Sequence, residues 1–330
     1  DILAALQELV DKGAMGFVVC LLWSFGNPSH ERMIKQVIEE EYPEDYLGSL
    51  PVFLSSDVSP KSGEYTRFIT TIVNAYIHGV MADELTKLGN ELRDGGYRRP
   101  LMLVHNTGGM KKVSRTRAVL THNAGPVAGL HGALTLGREY GHENIIFTDM
   151  GGTSFDVGFV RQGAPSYELE PQVEGFGVNL PMLGIKAIGA GGGSIARVED
   201  GKLLVGPQSA GSLPGPACFG LGGQEPTVTD ADLVLGVLDP EFFLGGGMPL
   251  DLDKATQAID SKIAGPLGVS VQEAALAIKN LVDRTMGQEV EKLQQEIWPH
   301  DKQPLLIVYG GAGPAHACGV AQTAGLPKII

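Results

Sequence analysis

Apolar residues recur at helical spacing over residues 1–12 (Ile2, Leu3, Leu6, Leu9, Val10), 28–41, 63–92, 126–140, 252–263 and 271–298, which predicts amphipathic helices. In the longest of the early ones, Phe68, Ile69, Ile72, Val73, Tyr76, Ile77 and Val80 mark the stripe expected to be buried. Short apolar runs bounded by turn residues predict strands at 16–25, 52–56, 101–105, 167–174, 184–188 and 305–309. Two apolar runs around a Gly-Gly turn predict a hairpin over 145–160, and Asp200-Gly201 centres another over 198–205. Thr229 is expected to open a helix, with Asp232 at the capping-box position. Strands alternating with helices argue for an α/β fold with mixed sheets flanked by helices. The least disruptive boundary lies near Gly141, so the expected domains are 1–140 and 141–330.

Composition narrows the function classes. A chain of 330 residues that is 43% hydrophobic and 19% charged can bury a sizeable core. A net charge of −13 argues against nucleic acid or an anionic membrane as main partner. No apolar run reaches the length that spans a bilayer. Three cysteines, Cys20, Cys218 and Cys318, show no metal or redox spacing, and their sparse, odd count fits a reducing cytoplasm. The chain begins at Asp1 within a helical pattern and ends at Ile330 within a strand-like run, so both ends read as cut from a longer polypeptide.

The 46 glycines cluster in short patches. The hairpin sequence is IIFTDMGGTSFDVGFV, with Asp149 and Asp156 bracketing Gly151, Gly152 and Thr153. Adjacent glycines allow a positive φ and close backbone approach, and their N–H groups with the Thr153 hydroxyl can form an anion-binding concavity. Asp149 is placed to hold a hydrated cation such as Mg²⁺. An ordinary Gly-Gly hairpin is the competing reading. Three further runs carry a similar ambiguity: HNAGPVAG (122–129), GAGGGS (189–194, with Gly191 and Gly192) and YGGAGPAHA (309–317, with Gly310, Gly311 and Gly313). Each is either a phosphate, hinge or nucleoside loop or a plain turn. No Walker A, HExxH or GxSxG pattern occurs. His122 and His316 adjoin glycine loops and either touch a ligand or are satisfied structurally; His300 and the other histidines are dispersed. Cys218 reads as a buried thiol, and Asp230 and Asp232 as helix-start charges.

The motifs DMGGTSFDV, GAGGGSIARVEDGKLLVGPQSAGSLPGPACFG, TVTDADLVLG with FLGG following, and YGGAGPAHA occur in that order. Together they resemble the hydantoinase A/oxoprolinase family, a branch of the sugar kinase–Hsp70–actin ATPase superfamily with a ribonuclease H-like fold. HNTGGM, HNAGPVAGLHGA and SGEYTRFITTIVNAYI look closer to the nucleotide-binding subunits of ATP-dependent acetone and acetophenone carboxylases. The resemblance implies a two-domain clamp over ATP and Mg²⁺, the first domain incomplete at its N-terminus because a first DxGGTxxD hairpin is missing. It places Asp149, Gly151, Gly152, Thr153 and Asp156 at the phosphates and metal, and Gly310, Gly311 and Gly313 near adenosine. It implies a ketone and bicarbonate as substrates and a hydantoinase B-type partner subunit. The alternatives are an ATP-dependent hydantoinase or 5-oxoprolinase, and a non-catalytic actin-like scaffold. With half the clamp missing, the isolated chain is expected to bind ATP weakly and not to turn it over.

Overall fold

Helices and strands alternate along the chain, and the fold is mixed α/β, as the pattern predicts. The computed structural model describes residues 2–43, 45, 50–168, 170–298 and 303–330; His300 lies outside them. The chain divides into two units, Asp1–Ala128 with Tyr167–Leu183, and Gly129–Ser166 with Gly184–Ile330.

The first unit contains α1 (Ile2–Asp11), β1 (Phe17–Val19), α2 (Ser29–Glu41), β2 (Val52–Leu54), α3 (Glu64–Asp94), β3 (Met102–Val104) and β4 (Met110–Lys112). β1 and β2 pair in parallel, and Leu6, Phe17, Val19, Ile38 and Leu54 close a small core around them. The strand expected over 16–25 is only three residues long. Its apolar continuation turns at Trp23, which has φ 59 and donates its N–H to Glu64. An apolar run does not supply a ladder partner, and here only Val52–Leu54 does. β2 likewise stops at Leu54, because Ser55 starts a helical turn and its hydroxyl donates to buried Glu31 at 2.6 Å.

The face that α3 buries is not the apolar stripe. Arg67, Thr70, Thr71 and Asn74 are buried, whereas Ile72, Tyr76 and Val80 are exposed. The buried polar atoms have partners, which is what permits their burial. Arg67 donates to Leu21 O at 2.7 Å and Ser55 Oγ at 3.1 Å, pairs with Glu64, and lies against the rings of Phe25 and Phe68. Thr70 Oγ1 accepts from Asn179 N–H, and Asn74 Oδ1 from Val119 N–H. The strand expected at 167–174 is broken into Tyr167–Glu168 and Gln172–Val173, which pair with Met182–Leu183 and Phe176–Gly177. Helix α4 (Ala124–Glu139) begins two residues before Pro126.

The second unit contains β5 (Ile145–Met150), β6 (Phe155–Arg161), β7 (Ile185–Ile188), β8 (Ser194–Glu199), β9 (Lys202–Ser209), α5 (Val228–Val234), α6 (Leu252–Ile259), α7 (Val271–Ile297), β10 (Leu305–Tyr309) and α8 (Gly313–Ala324). The main sheet runs β7-β6-β5-β10, with a short fifth strand, Ala164–Pro165, on β6. β6 is antiparallel to β5 and β7, and β10 is parallel to β5. Ile146, Met150, Phe155, Val157 and Leu306 of the sheet belong to one core with Ile278, Val282, Met286 and Val290 of α7 and Val320 of α8. On α7 the apolar stripe does become the buried face, and Ser270 with Glu273 forms a capping box at its start.

α5 starts two residues earlier than the sequence suggests. Thr227 is the N-cap and Asp230 completes the box, which leaves Thr229 and Asp232 inside the helix and free for other partners. The predicted 252–263 helix is regular to Ile259 and then widens into a π turn, Asp260–Ala264. Among the described residues no helix is long and apolar enough to cross a membrane.

Candidate functional site

The β5–β6 hairpin delivers two carboxylates to one place. Asp149 and Asp156 are direct cross-strand neighbours, and Asp149 also stands opposite Tyr309 on β10. Like charges at facing positions repel. Burial pushes the Asp149 carboxyl above the usual range; at Asp156 burial does the same, a hydrogen bond from Ser154 opposes it, and the Asp149 charge adds to the rise. Burial, followed by the charges of Asp149 and Asp156, also raises the Tyr309 phenol. A bound cation would relieve all three.

The glycines around this pair differ in what their missing side chains leave room for. A Cβ on Gly151, Gly152 or Gly311 would meet nothing within 4 Å. Neither Gly151 nor Gly152 takes the positive φ that the sequence allows, so their use is open space and not unusual backbone. Gly191 and Gly193 instead pack on the turn: a Cβ at Gly191 would lie 2.7 Å from Gly152 C and Thr153 N, and one at Gly193 would lie 2.9 Å from Gly152 O. Gly192 N–H donates to Gly151 O at 3.0 Å and Gly193 N–H to Gly152 O, so the 189–194 run is bonded to the hairpin turn. Gly310, with φ +92, is pressed against Asp149 and Met150, and Gly313 against Val308.

These elements border a cavity of about 670 Å³, within the usual range for small-molecule sites. Gly151, Gly152, Thr153, Gly192 and Gly311 line it; Asp149, Asp156, Gly191, Gly310 and Gly313 are not among its lining. Phe219, Leu238, Phe242, Phe243 and Leu244 supply an apolar wall. Phe219 and Phe243 approach with ring centroids 5.5 Å apart, anchored on the buried Cys218, Leu233, Leu250 and Ala255. The lining therefore combines bare backbone suited to anionic oxygens with side chains suited to a planar apolar group. Sequence reasoning did not reach Phe219, Phe243 or Thr229, whose hydroxyl lines the cavity and donates to Gly192 O at 2.8 Å. The signals for the aromatic wall were FLGG for Phe243 and the PGPACFG end of the long motif for Phe219.

Other expectations resolve locally. Cys218 is fully buried, and burial followed by the neighbouring Asp230 charge pushes its thiol far up, which removes it as a nucleophile. Asp230 is a buried cap that also accepts from Ala217 and Cys218 N–H. Asp232 is not a helix-start charge; it is hydrogen-bonded to His316 at 3.0 Å. His122 is in the first unit, and burial holds its pKa down.

No group of three or more acidic, His or Cys side chains able to hold a metal exists among the described residues. The residues present do fit Mg²⁺ that arrives with phosphate, because such a cation uses one or two carboxylates and fills its remaining positions with phosphate oxygens and water. The repelling Asp149–Asp156 pair beside an uncrowded Gly-Gly-Thr turn supplies that arrangement.

Comparison with known proteins gives a consistent result. The chain is 42% identical over its whole length to the acetophenone carboxylase gamma subunit of Aromatoleum aromaticum, of which it covers 45%. It is 36% identical to the caprolactamase subunit alpha of Pseudomonas jessenii over 99% of the chain and 47% of that protein. Among solved structures, nucleotide-free acetone carboxylase matches with a TM-score of 0.83 and 32% identity over 99% of the chain and 46% of its own, and the ATP-dependent caprolactamase from Pseudomonas jessenii with 0.74 and 35% over 99% and 47%. The chain thus spans about half the length of the curated relatives it matches. The sequence profile of hydantoinase/oxoprolinase matches residues 67–330, four-fifths of the chain, and the chain belongs to the hydantoinase/oxoprolinase family.

Proposed function

We propose that this chain is part of the nucleotide-binding subunit of an ATP-dependent ketone carboxylase of the acetone or acetophenone type, working in the cytoplasm with a hydantoinase B-type partner subunit. The observation that carries this is a cavity lined by both an open Gly-Gly-Thr turn and aromatic side chains, with two facing carboxylates on the strands that the turn joins. The 42% identity to the acetophenone carboxylase gamma subunit supports the ketone reading. In this reading residues 141–330 are the second actin-like domain, carrying the phosphate and adenosine motifs, and residues 1–140 are the remainder of the first. ATP enters as co-substrate and supplies phosphoryl groups that make a ketone enolate and bicarbonate reactive. Thr153 and the backbone of Gly151 and Gly152 hold phosphate oxygens. Asp149, with Asp156, meets the accompanying Mg²⁺. The aromatic wall excludes water from the base. The protein's contribution to such a transfer is positioning and charge stabilisation. In the assembled enzyme Asp149→Asn is expected to abolish ketone-dependent ATP cleavage, and unchanged turnover rejects the assignment.

A second reading has its own support. The caprolactamase relatives act on a cyclic amide, and 5-oxoprolinase 1 of Arabidopsis thaliana is 32% identical over 98% of the chain. The same phosphate site would activate an amide carbonyl for ring opening. ATP cleavage with acetone, acetophenone, hydantoin, caprolactam and 5-oxoproline, with and without bicarbonate, separates the two. Bicarbonate dependence supports the carboxylase, and cleavage that no small molecule stimulates points to a scaffold.

A further inference from the structure

Behind the cavity wall lies a chain of charged side chains that the reading above does not use. Asp232 of α5 lines the cavity yet is only 3% exposed. Its Oδ2 bonds to His316 Nε2 of α8 at 3.0 Å, and His316 Nδ1 bonds to Asp283 Oδ1 of α7 at 2.5 Å. Asp283 Oδ2 in turn accepts from Lys279 Nζ at 2.8 Å. Ionised carboxylates only accept, so a histidine bonded to two of them donates through both ring nitrogens and carries a charge. Burial alone would push the His316 pKa down, but the hydrogen bonds to Asp232 and Asp283 outweigh it and hold it raised. Two cations and two anions are therefore balanced under the wall, contributed by three helices.

One acceptor in this network is left over. Asp232 Oδ1 is buried and has no partner within the protein. A buried carboxylate oxygen without a donor is costly, and each such atom calls for an explanation. The neighbouring lining hydroxyl cannot supply one, because Thr229 Oγ1 already donates to Gly192 O. Packing three helices would be served equally well by an apolar contact, and often better. The network fixes one carboxylate in orientation and leaves it unsatisfied in the lining of a cavity that otherwise presents glycine backbone, the hydroxyl residues Thr153, Ser212 and Thr229, Asp239, and apolar and aromatic side chains.

We propose that Asp232 is a nucleoside-recognition residue: its free Oδ1 accepts a hydrogen bond from a donor on the bound nucleotide, a sugar hydroxyl or the exocyclic amine of the base, while His316 holds the carboxylate in place. This rests on reading the cavity as the nucleotide site. It assigns selectivity to a side chain on α5, distinct from the hairpin that meets the phosphates.

The test compares ATP, 2′-deoxy-ATP, 3′-deoxy-ATP and inosine triphosphate, each with Mg²⁺, by competition in saturation-transfer NMR, which reads weak binding. For the unmodified chain, at least one analogue should bind about tenfold more weakly than ATP, the cost of losing a hydrogen bond to a charged group. A deoxy analogue so affected identifies the sugar hydroxyl, and inosine triphosphate the amine. In Asp232→Ala the same analogue should bind as well as ATP. Analogues that all bind within twofold of ATP overturn the proposal, as does discrimination that persists in Asp232→Ala. If that variant does not fold, Asp232→Leu, which keeps the side chain's bulk without an acceptor, is read in the same way. Absence of any ATP binding by the unmodified chain instead removes the nucleotide reading of the cavity, and this proposal with it.

Discussion

Two glycine runs meet at the cavity, and they use the missing side chain for opposite ends. Gly151 and Gly152 face open space, so their value lies in what can approach them. Gly191 and Gly193 are pressed against that same turn and hold it from behind. The first run is available to a ligand, while in the second Gly191 is packed on the turn and Gly192 and Gly193 both pack and line the cavity. Motif reading alone assigns both to cofactor binding, because a glycine-rich string looks the same whether its emptiness is filled by a phosphate or by another strand's backbone. A second support of the cavity lining is the charged Asp232–His316–Asp283 network, which enters that lining at Asp232 and joins α5, α8 and α7.

The largest effect that can break this contrast lies in the support. Asp283→Ala leaves two cations, His316 and Lys279, with only the Asp232 carboxylate between them, and losing one partner of a buried ion pair typically costs about 3–5 kcal/mol. The sign with pH follows from the raised His316 value. A group whose pKa is higher folded than unfolded contributes stability that is fully present below its unfolded pKa, about 6.5 for His, and is lost as pH rises through the folded value. The gap in melting temperature between the unmodified chain and Asp283→Ala should therefore be widest below about pH 6.5 and narrow on the alkaline side. A gap that widens with pH contradicts a charged His316.

The next effects separate the two runs directly. Gly191→Ala drives a methyl into the Gly152–Thr153 backbone, and overpacking of this kind costs about 1–3 kcal/mol, readable as a lower denaturation midpoint. Gly152→Ala, with nothing near its Cβ, should change stability by no more than about 0.5 kcal/mol while weakening Mg-ATP binding. Equal losses of stability at the two positions would erase the distinction.

How much of this was legible in the sequence varies with the kind of interaction. The 145–160 hairpin is readable because two apolar runs flank a turn and the partner strand is adjacent. α7 is readable because its stripe meets a sheet and another helix that are equally apolar. α3 exists as predicted, but its buried face is polar, since Arg67, Thr70 and Asn74 find partners at Leu21, Asn179 and Val119, far away in the chain. Periodicity reports apolar positions and says nothing of such distant hydrogen-bond partners. The site divides in the same way. The Asp149–Asp156 pair with Gly151, Gly152 and Thr153 is local and was visible. Asp232 finds His316 84 residues away, and the aromatic wall comes from a stretch whose turns dominate its sequence.

If the cavity lined by the open glycine turn and the aromatic residues holds the nucleotide, the amides of that lining respond when it binds. Amide-resolved chemical-shift mapping on titration with Mg-ATP tests it most directly, because it locates even weak binding. The predicted result is saturable shifts at Gly151, Gly152, Thr153, Gly311, Phe219 and Phe243, with no saturable shifts in residues 2–43. Saturable binding whose shifts leave the 151–153 turn and Phe219 untouched would contradict it.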